Sequence, residues 1–261
     1  MISFFYNWKN GAAEIRARQI SRRIESKRNP KDGYENDTCI YVKIEPPEDY
    51  PENSYLDIVD GRERVPWLRE HKIGVIAQTK TAYDFLKSFN DNVILIPQHH
   101  CNFERFVRTR QEIRTVGYIG GERQFELPVD IVTQRLREHG LEFKCFFSPH
   151  DRKSVVEFYK TIDIQITFRK RGQNYGKLCS PLKIINACSF GIPSVSYPER
   201  AYNEVKGHFL PARDIDELVS QVVRLKDPSL YQDYQRLELA EEYHIDNIIK
   251  YYENLDSNPR T

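Results

Sequence analysis

The chain has 261 residues, 39% hydrophobic and 30% charged, and this balance is typical of globular proteins. Its formal net charge of +1 argues against nucleic acid as a partner, and no apolar run approaches the roughly 20 residues of a membrane-spanning helix. The five cysteines form no CxxC pair, and the N-terminal sequence MISFFYNWKNG is too polar for a signal peptide. We therefore expect a soluble, cytoplasmic protein with reduced thiols, and peripheral contact with a membrane surface stays open.

Short apolar runs alternate with helical patterns in the N-terminal part of the chain. The strand patterns are Ile2–Tyr6, Cys39–Ile44, Leu56–Val59, Ile73–Ile76 and Val93–Ile96. The helical patterns cover about Ala12–Glu25, Val65–Glu70 and Thr81–Ser88. Two segments rich in polar residues or proline, Ser26–Asp37 and Glu45–Ser54, are predicted to be loops. Strands that alternate with helices favour a parallel sheet.

The alternation restarts after His99–Arg114, a charged segment without periodicity. The strands predicted there are Thr115–Ile119, Glu142–Phe147, Ile164–Phe168 and Ser194–Tyr197. The predicted helices are Pro128–His139, Val155–Thr161, Leu182–Phe190, Ile215–Leu225 and a C-terminal helix at roughly Tyr234–Leu255. The sequence therefore predicts an α/β protein of two Rossmann-like domains, residues 1–105 and 106–261, facing each other across a cleft. Ligands of such sheets bind at the carboxyl ends of the strands.

A glycine pair ends the first strand of the second half, in the motif VGYIGGER. Gly120 and Gly121 let the backbone approach a phosphate closely, and the helix that follows offers N–H groups and a positive dipole. Arg123 adds a possible bidentate phosphate contact. An ordinary turn between a strand and a helix explains the same glycines.

A second motif, SPLKIINACSFGIPSVSYP, begins a helix. Ser180 is predicted as its N-cap and Pro181 as its first residue. Lys183 falls in the first turn, where the helix dipole disfavours a cation unless an anion is shared with the N–H groups. A solvent-facing lysine is the alternative.

A third motif, FRKRGQNYGK, follows a predicted strand and is basic. Arg169 and Lys170 stand at the carboxyl end of that strand, where a basic loop suits a diphosphate. A solvated run of charges is the alternative.

The order SPLKIINACSFGIPSVSYPE, then NEV, then HFLPARDIDEL, resembles the donor domain of family 4-type retaining glycosyltransferases. In the N-terminal half, NGAAEIRARQISRRI, IGVIAQTKTAYDFLKSF and VILIPQHHCNFERF resemble the same family more loosely. The resemblance implies the GT-B fold, with residues 1–105 on the acceptor side and residues 106–261 holding the donor. It also implies that the last helix crosses back to the N-terminal domain.

The donor implied by the resemblance is a nucleotide sugar, carrying UDP or GDP, which acts as a co-substrate; no permanently bound cofactor is expected. Glu204, in NEV, is counted among the donor-binding residues. The family usually carries a pair of glutamates, of which the second contacts the ribose, and this chain has Leu178 and Asn186 at those positions. Asn186 keeps a hydrogen-bonding group and stays a donor-binding candidate, whereas Leu178 has none.

The catalytic candidates lie in the N-terminal half. Asp60 ends the strand pattern YLDIVD and is a candidate general base or sugar contact, with a turn or cap aspartate as the alternative. His99 and His100 stand near the predicted hinge, and at least one of the two is expected to be structural. The first helix carries a basic set that suits an anionic lipid or acceptor, or simply a solvated helix face: Arg16, Arg18, Arg22 and Arg23.

The sequence therefore predicts a glycosyltransferase that moves a sugar from a nucleotide-diphosphate donor to a glycan, lipid or protein acceptor. Apart from the DID within HFLPARDIDEL, the sequence has no DxD triplet, and cationic side chains can stabilise the leaving group, so no metal is expected. Two alternatives remain. One is a nucleotide-sugar 2-epimerase of the same fold, and the other is a degenerate, non-catalytic subunit that binds nucleotide sugar or acts as a scaffold.

Overall fold

The computed structural model describes residues 1–8, 11–149, 151–169, 176–235 and 237–257, without the side chains of 256 and 257. The contacts among residues divide the chain into two compact units. The first unit contains Met1–His99, Gln173–Ser180 and Ile245–Thr261, and the second contains His100–Gly172 and Pro181–His244. Each unit is built on its own parallel sheet.

The sheet of the first unit has six strands in the order β2-β1-β3-β4-β5-β6, all parallel. Its strands are β1 (Ile2–Tyr6), β2 (Ser26–Arg28), β3 (Thr38–Val42), β4 (Ser54–Asp57), β5 (Gly74–Ala77) and β6 (Val93–Leu95). The prediction of a loop over Ser26–Asp37 is wrong at its start, because Ser26 pairs with Ile2 in β1. The three residues of β2, SKR, are polar and pair at the sheet edge through their backbone, so they carry no hydrophobic pattern.

Helices cover both faces of this sheet. They are α1 (Gly11–Ala13), a π-helical turn (Glu14–Arg18), α2 (Gln19–Ser21), α3 (Val65–Glu70), α4 (Lys80–Lys87) and α11 (Ile245–Ser257). Leu68 of α3 and Leu86 of α4 share one core cluster with Leu56 and Val75 of the sheet. Tyr252 of α11 packs instead against Phe4, with ring centroids 5.9 Å apart. The C-terminal helix therefore completes the core of the first unit.

The sheet of the second unit has five strands in the order β11-β10-β9-β7-β8, again all parallel. Its strands are β7 (Thr115–Gly120), β8 (Glu142–Phe147), β9 (Ile164–Thr167), β10 (Ser194–Ser196) and β11 (Leu210–Pro211). Its helices are α5 (Val129–Arg137), α6 (Arg152–Thr161), α7 (Leu182–Ser189), α8 (Ile215–Arg224), α9 (Pro228–Tyr234) and α10 (Glu238–Glu242). Because β7 has β8 on one side and β9 on the other, the chain reverses its direction of progress at β7, which makes a topological switch point between β7 and β9.

The prediction of one helix over Tyr234–Leu255 is wrong. The segment instead contains α10 and α11, separated by Tyr243 and His244. The physical reason is a change of partner, since α10 packs on α7 in the second unit whereas α11 belongs to the first. Among the described helices, none combines the length and the hydropathy that crossing a membrane requires.

Candidate functional site

The switch point between β7 and β9 brings two of the predicted motifs to one edge of the second sheet. β7 ends at Gly120, and β9 ends just before Phe168 and Arg169. The two strands are parallel neighbours, paired through Val116 and Gly117, so their carboxyl ends lie side by side. Ligands of open α/β sheets bind outside this edge.

Gly120 lies directly under the side chain of Lys183. Its φ of +148° is one that residues with a side chain rarely adopt, and a Cβ there would stand 3.0 Å from the Nζ of Lys183 and 3.0 Å from the hydroxyl of Tyr118. That hydroxyl donates to the carbonyl of Gly121 at 2.9 Å. The Nζ of Lys183 also lies 5.0 Å from the ring centroid of Tyr118. The structure thus brings Gly120, Gly121 and Lys183 together around a residue that sequence reasoning did not select.

The half-buried Lys183 stands in the first turn of α7. The predicted cap is wrong by one residue, because Pro181 rather than Ser180 occupies the N-cap position and its carbonyl accepts from the N–H of Ile184 at 2.9 Å. Proline has no side-chain acceptor, so Pro181 itself does not cap the helix N–H groups through its side chain. Lys183 is therefore a cation at the positive end of a helix, an arrangement that favours an anion nearby.

Arg169 is engaged by a carboxylate. Its Nε donates to Oε1 of Glu199 at 2.8 Å and its Nη2 donates to Oε2 at 2.7 Å, with the two side chains 11% and 2% exposed. This bidentate pair ties the end of β9 to the turn after β10. Arg169 is therefore next to the candidate site, but its guanidinium already binds the carboxylate of Glu199.

The remaining donor-side candidates have different surroundings. Arg123 is exposed in the 3-10 turn that follows Gly121, and Glu204 is half-buried in the 3-10 helix Arg200–Val205. Ser180 is half-buried, and its contacts assign it to the first unit. Lys170 lies outside the described residues.

The two positions that depart from the family pattern both serve the fold. The Oδ1 of Asn186, buried in α7, accepts from the backbone N–H of Cys101 at 2.8 Å. Leu178 is buried in the core of the first unit, and its carbonyl accepts from Nε2 of Gln78 at 2.8 Å. The amide oxygen of Asn186, one of the groups that could have met a sugar hydroxyl, thus accepts from the backbone instead.

Asp60 stands at the carboxyl edge of the first sheet. It is exposed, and its Oδ1 accepts from Nζ of Lys43, which follows the neighbouring strand β3. Lys43 and Val59 adopt left-handed backbone angles, with φ of 54° and 52°. Such angles are outliers for a β-branched residue and concentrate at functional sites. The structure therefore pairs Asp60 with a lysine at an edge where ligands of parallel sheets bind.

His99 and His100 are both buried and bound to backbone carbonyls. The Nε2 of His99 lies 3.0 Å from the carbonyl of Ile15. The Nδ1 of His100 accepts from the N–H of Asn102 at 3.1 Å, so its Nε2 carries the hydrogen that is donated to the carbonyl of Ala240 at 2.7 Å. Burial lowers the pKa of His100 to about 4. These contacts favour structural roles over the predicted catalytic ones.

The expectation that Arg16 lies on a basic surface is wrong. Arg16 is fully buried in the π-helical turn, and its Nε donates to Oδ2 of Asp57 at 2.7 Å. Its Nη1 donates to the carbonyls of Ile96 at 3.0 Å and Pro97 at 2.8 Å. Burial opposes the charge of Arg16, but the Asp57 carboxylate prevails and raises the pKa of the guanidinium.

Sequence reasoning missed Tyr118, Glu199 and Lys43. Tyr118 is two residues before Gly120 and so projects to the same face of β7, a signal that strand alternation supplies. Glu199 and Lys43 each follow a strand, but their ion pairs depend on which strands are neighbours, and the sequence does not state the strand order.

No family model matches the sequence, and no curated protein matches it. Solved structures do resemble it. Anabaena HepE, solved with UDP and glucose, has a TM-score of 0.58 at 11% identity over 85% of this chain and 72% of that chain. AviGT4, a glycosyltransferase involved in avilamycin A biosynthesis, has a TM-score of 0.56 at 7% identity over 99% and 98%. TarM has a TM-score of 0.54 at 13% identity, and the match covers 86% of this chain but only 51%, about half, of TarM.

These likenesses show the fold. The chain has the GT-B fold, with two Rossmann-like α/β units, and the sequence-based prediction of the fold class is confirmed.

Proposed function

We propose that the protein is a glycosyltransferase that moves a sugar from a nucleotide-diphosphate donor to a glycan, lipid-linked or protein acceptor. The observation that carries this proposal is the side chain of Lys183, laid over Gly120 at the switch point of the second sheet. The motif around Lys183 resembles that of family 4-type enzymes, and this family assignment is part of the proposal. The fold shared with HepE, which was solved with UDP-glucose, supports a nucleotide sugar as the donor.

The donor diphosphate is proposed to sit against the first turn of α7. Lys183 supplies a positive charge there, and the helix end adds its dipole. Gly120 and Gly121 let the diphosphate approach the backbone, while Lys170, Ser180 and Arg123, the last of which is exposed, are proposed as outer contacts. Cations fixed at this point stabilise the charge that develops on the leaving diphosphate, so the reaction is proposed to need no metal.

The transfer step replaces one bond to the anomeric carbon by another. The acceptor hydroxyl oxygen bonds to that carbon, and the bond from the carbon to the diphosphate oxygen breaks. The diphosphate leaves with the electron pair, and the hydroxyl proton passes to a base. We propose Asp60 as that base or as a sugar contact, because it is exposed at the carboxyl edge of the first sheet.

Replacing Lys183 tests the donor site directly. Purified Lys183→Ala and wild-type protein would be titrated with UDP, GDP, ADP, CMP and dTDP and their common sugars, with thermal shift as the screen and calorimetry for affinity. Loss of a charged hydrogen bond predicts a dissociation constant about 10- to 100-fold higher for the nucleotide that binds.

The matched control is Lys153→Ala. Lys153 is exposed in the first turn of α6, in the same unit, so its loss removes the same charge from an equivalent helix position. Wild-type affinity is expected for this variant. Equal nucleotide affinity in Lys183→Ala and wild type would remove Lys183 from the donor site.

A further inference from the structure

A cavity of about 580 Å³ lies in the first unit between α3 and α4. It is lined by Arg62, Val65, Pro66, Arg69, Glu70, Phe85, Lys177 and Leu178. All of these residues belong to the first unit. The volume is within the range of small-molecule sites, about 300–1,000 Å³. Its lining includes none of the residues proposed for the donor site.

The lining of the cavity is strongly basic. Three of its side chains are cationic, those of Arg62, Arg69 and Lys177, and one is a carboxylate, that of Glu70. Two of the cations rest on aromatic rings. The Nζ of Lys177 lies 4.8 Å from the ring centroid of Phe85, and the guanidinium of Arg69 lies 5.0 Å from that of Phe89. These contacts hold positive charge beside an apolar wall.

One end of the cavity lies near the carboxyl edge of the first sheet. Arg62 begins the 3-10 turn that follows β4, and Gln78 directly follows β5. The bond from Nε2 of Gln78 to the carbonyl of Leu178, at 2.8 Å, holds Leu178 and thereby Lys177 at this edge. Asp60, the proposed base, follows β4 at the same edge. Arg62 therefore brings one end of the cavity close to the edge where parallel sheets bind their ligands, while Arg69 and Phe85 line it further along α3 and α4.

We propose that this cavity binds a phosphate group carried by the acceptor; this inference rests on the proposed function. Guanidinium and ammonium groups carry the positive charge and the hydrogen-bond donors that the negatively charged oxygens of a phosphate require. The apolar wall formed by Val65, Pro66, Phe85 and Leu178 takes the non-phosphate part of the same molecule. The acceptor is thus a phosphorylated compound rather than a neutral glycan.

The test uses Arg69→Ala and Lys177→Ala in full-length protein that also carries Lys183→Ala, so that the donor site does not contribute. Inorganic phosphate and glycerol 3-phosphate serve as probes, measured by calorimetry at low salt. Each cavity substitution is expected to raise the dissociation constant of the phosphate probe about tenfold, and added salt is expected to weaken binding further.

The control is Lys72→Ala, an exposed lysine just after α3 that does not line the cavity. It is expected to leave phosphate binding unchanged, and unfolding midpoints verify that every variant is folded. Equal phosphate affinity in the cavity variants and the Lys183→Ala parent would overturn the proposal.

Two further arms separate the sources of phosphate and the two proposals. If the protein binds phosphatidylglycerol vesicles but not phosphatidylcholine vesicles, and the cavity variants lose this binding, the phosphate is assigned to a lipid headgroup. Binding of the soluble probes alone assigns it to a soluble acceptor. Nucleotide binding is measured in Arg69→Ala and Lys177→Ala without Lys183→Ala and is expected to stay at wild-type strength. If wild type binds phosphate in the cavity but binds no nucleotide, the glycosyltransferase proposal fails while the phosphate site stands.

Discussion

At the scale of single residues, the proposed donor site depends on one close contact, between Lys183 and Gly120. Lys183 crosses the end of β7 because Gly120 has no side chain. The Nζ of Lys183 lies 5.0 Å from the ring centroid of Tyr118, whose hydroxyl is also close to Gly120. The glycine pair, the lysine and the helix were predicted from the sequence, with the cap one residue too early, since strand, turn and helix signals are local. The contact of Arg169 with Glu199 was not found, because it requires knowing that β9 and β10 are neighbours.

Substituting Gly120 tests the close contact between Gly120 and Lys183. In Gly120→Ala the added Cβ would stand 3.0 Å from Lys183 and from the hydroxyl of Tyr118, at a φ of +148°. We expect the lysine to be displaced and nucleotide binding to weaken about tenfold or more, with a backbone cost of about 1–3 kcal/mol in unfolding free energy. Calorimetry and urea unfolding measure the two effects.

Gly140→Ala is the matched control for Gly120→Ala. Gly140 also has a positive φ, +72°, but no described atom lies within 4 Å of an added Cβ. It should lose some stability and keep full nucleotide affinity. Normal nucleotide binding by Gly120→Ala would show that the lysine is not held by this contact.

The lowered pKa of His100 predicts that the stability of the protein depends on pH. Burial lowers its pKa in the folded protein to about 4, against about 6.5 in the unfolded chain. Between these pH values the unfolded chain binds more protons than the folded protein. The contribution of neutral His100 to the free energy of unfolding is therefore complete above pH 6.5 and is lost as pH falls towards 4. The loss is on the order of 3 kcal/mol.

Urea unfolding from pH 7 to 4 measures this contribution. His100→Gln should show a flatter dependence than wild type, whereas His139→Gln, at an exposed position, should follow the wild-type curve. Parallel curves for wild type and His100→Gln would contradict the assignment of a buried, neutral His100.

At the scale of elements, the buried pair of Arg16 and Asp57 fixes the helical segment after β1. Arg16 lies in the π-helical turn and Asp57 ends β4, and both side chains are fully buried. Arg16 also binds the carbonyls of Ile96 and Pro97, so one side chain ties the turn to the ends of two strands. A sequence that shows four arginines on one helix does not reveal which of them is buried, because the partner of Arg16 is far away in the chain.

Asp57→Asn is expected to destabilise the protein by about 3–5 kcal/mol, because it leaves the charge of Arg16 buried without a counter-charge. The double variant Arg16→Met with Asp57→Leu should lose less, since neither charge remains. Urea unfolding measures both. Asp84→Asn is the control, because Asp84 pairs with Lys80 on the surface, with side chains 61% and 62% exposed, and should cost under about 1 kcal/mol. A similarly small effect of Asp57→Asn would contradict the account of the buried pair.

Element prediction succeeded where burial produces a pattern. β3 is buried along its whole length and appeared as a continuous apolar run. β2 and β11 were missed because a three-residue polar edge strand and a two-residue strand carry no period. The break between α10 and α11 was missed because both helices have apolar faces and only their partners differ.

At the scale of the whole molecule, the repeated alternation of strands and helices predicted two Rossmann-like α/β domains, and the family resemblance added the GT-B fold. The alternation did not predict the grouping of the C-terminal helix α11 with the first unit, which had come only from the family resemblance; in the structure α11 completes the core there through Tyr252. The cavity between α3 and α4 was not foreseen either, because Lys177 joins Arg62 and Arg69 only through the fold.

The most direct test of the glycosyltransferase proposal is release of nucleoside diphosphate from the nucleotide sugar that binds, in buffer containing EDTA, with and without a mixture of phosphorylated and unphosphorylated acceptors. The proposal predicts release that depends on acceptor, persists in EDTA and falls at least about tenfold in Lys183→Ala at subsaturating donor. Tight binding of the donor with no release under any of these conditions would contradict it and indicate a subunit that binds nucleotide sugar without turning it over.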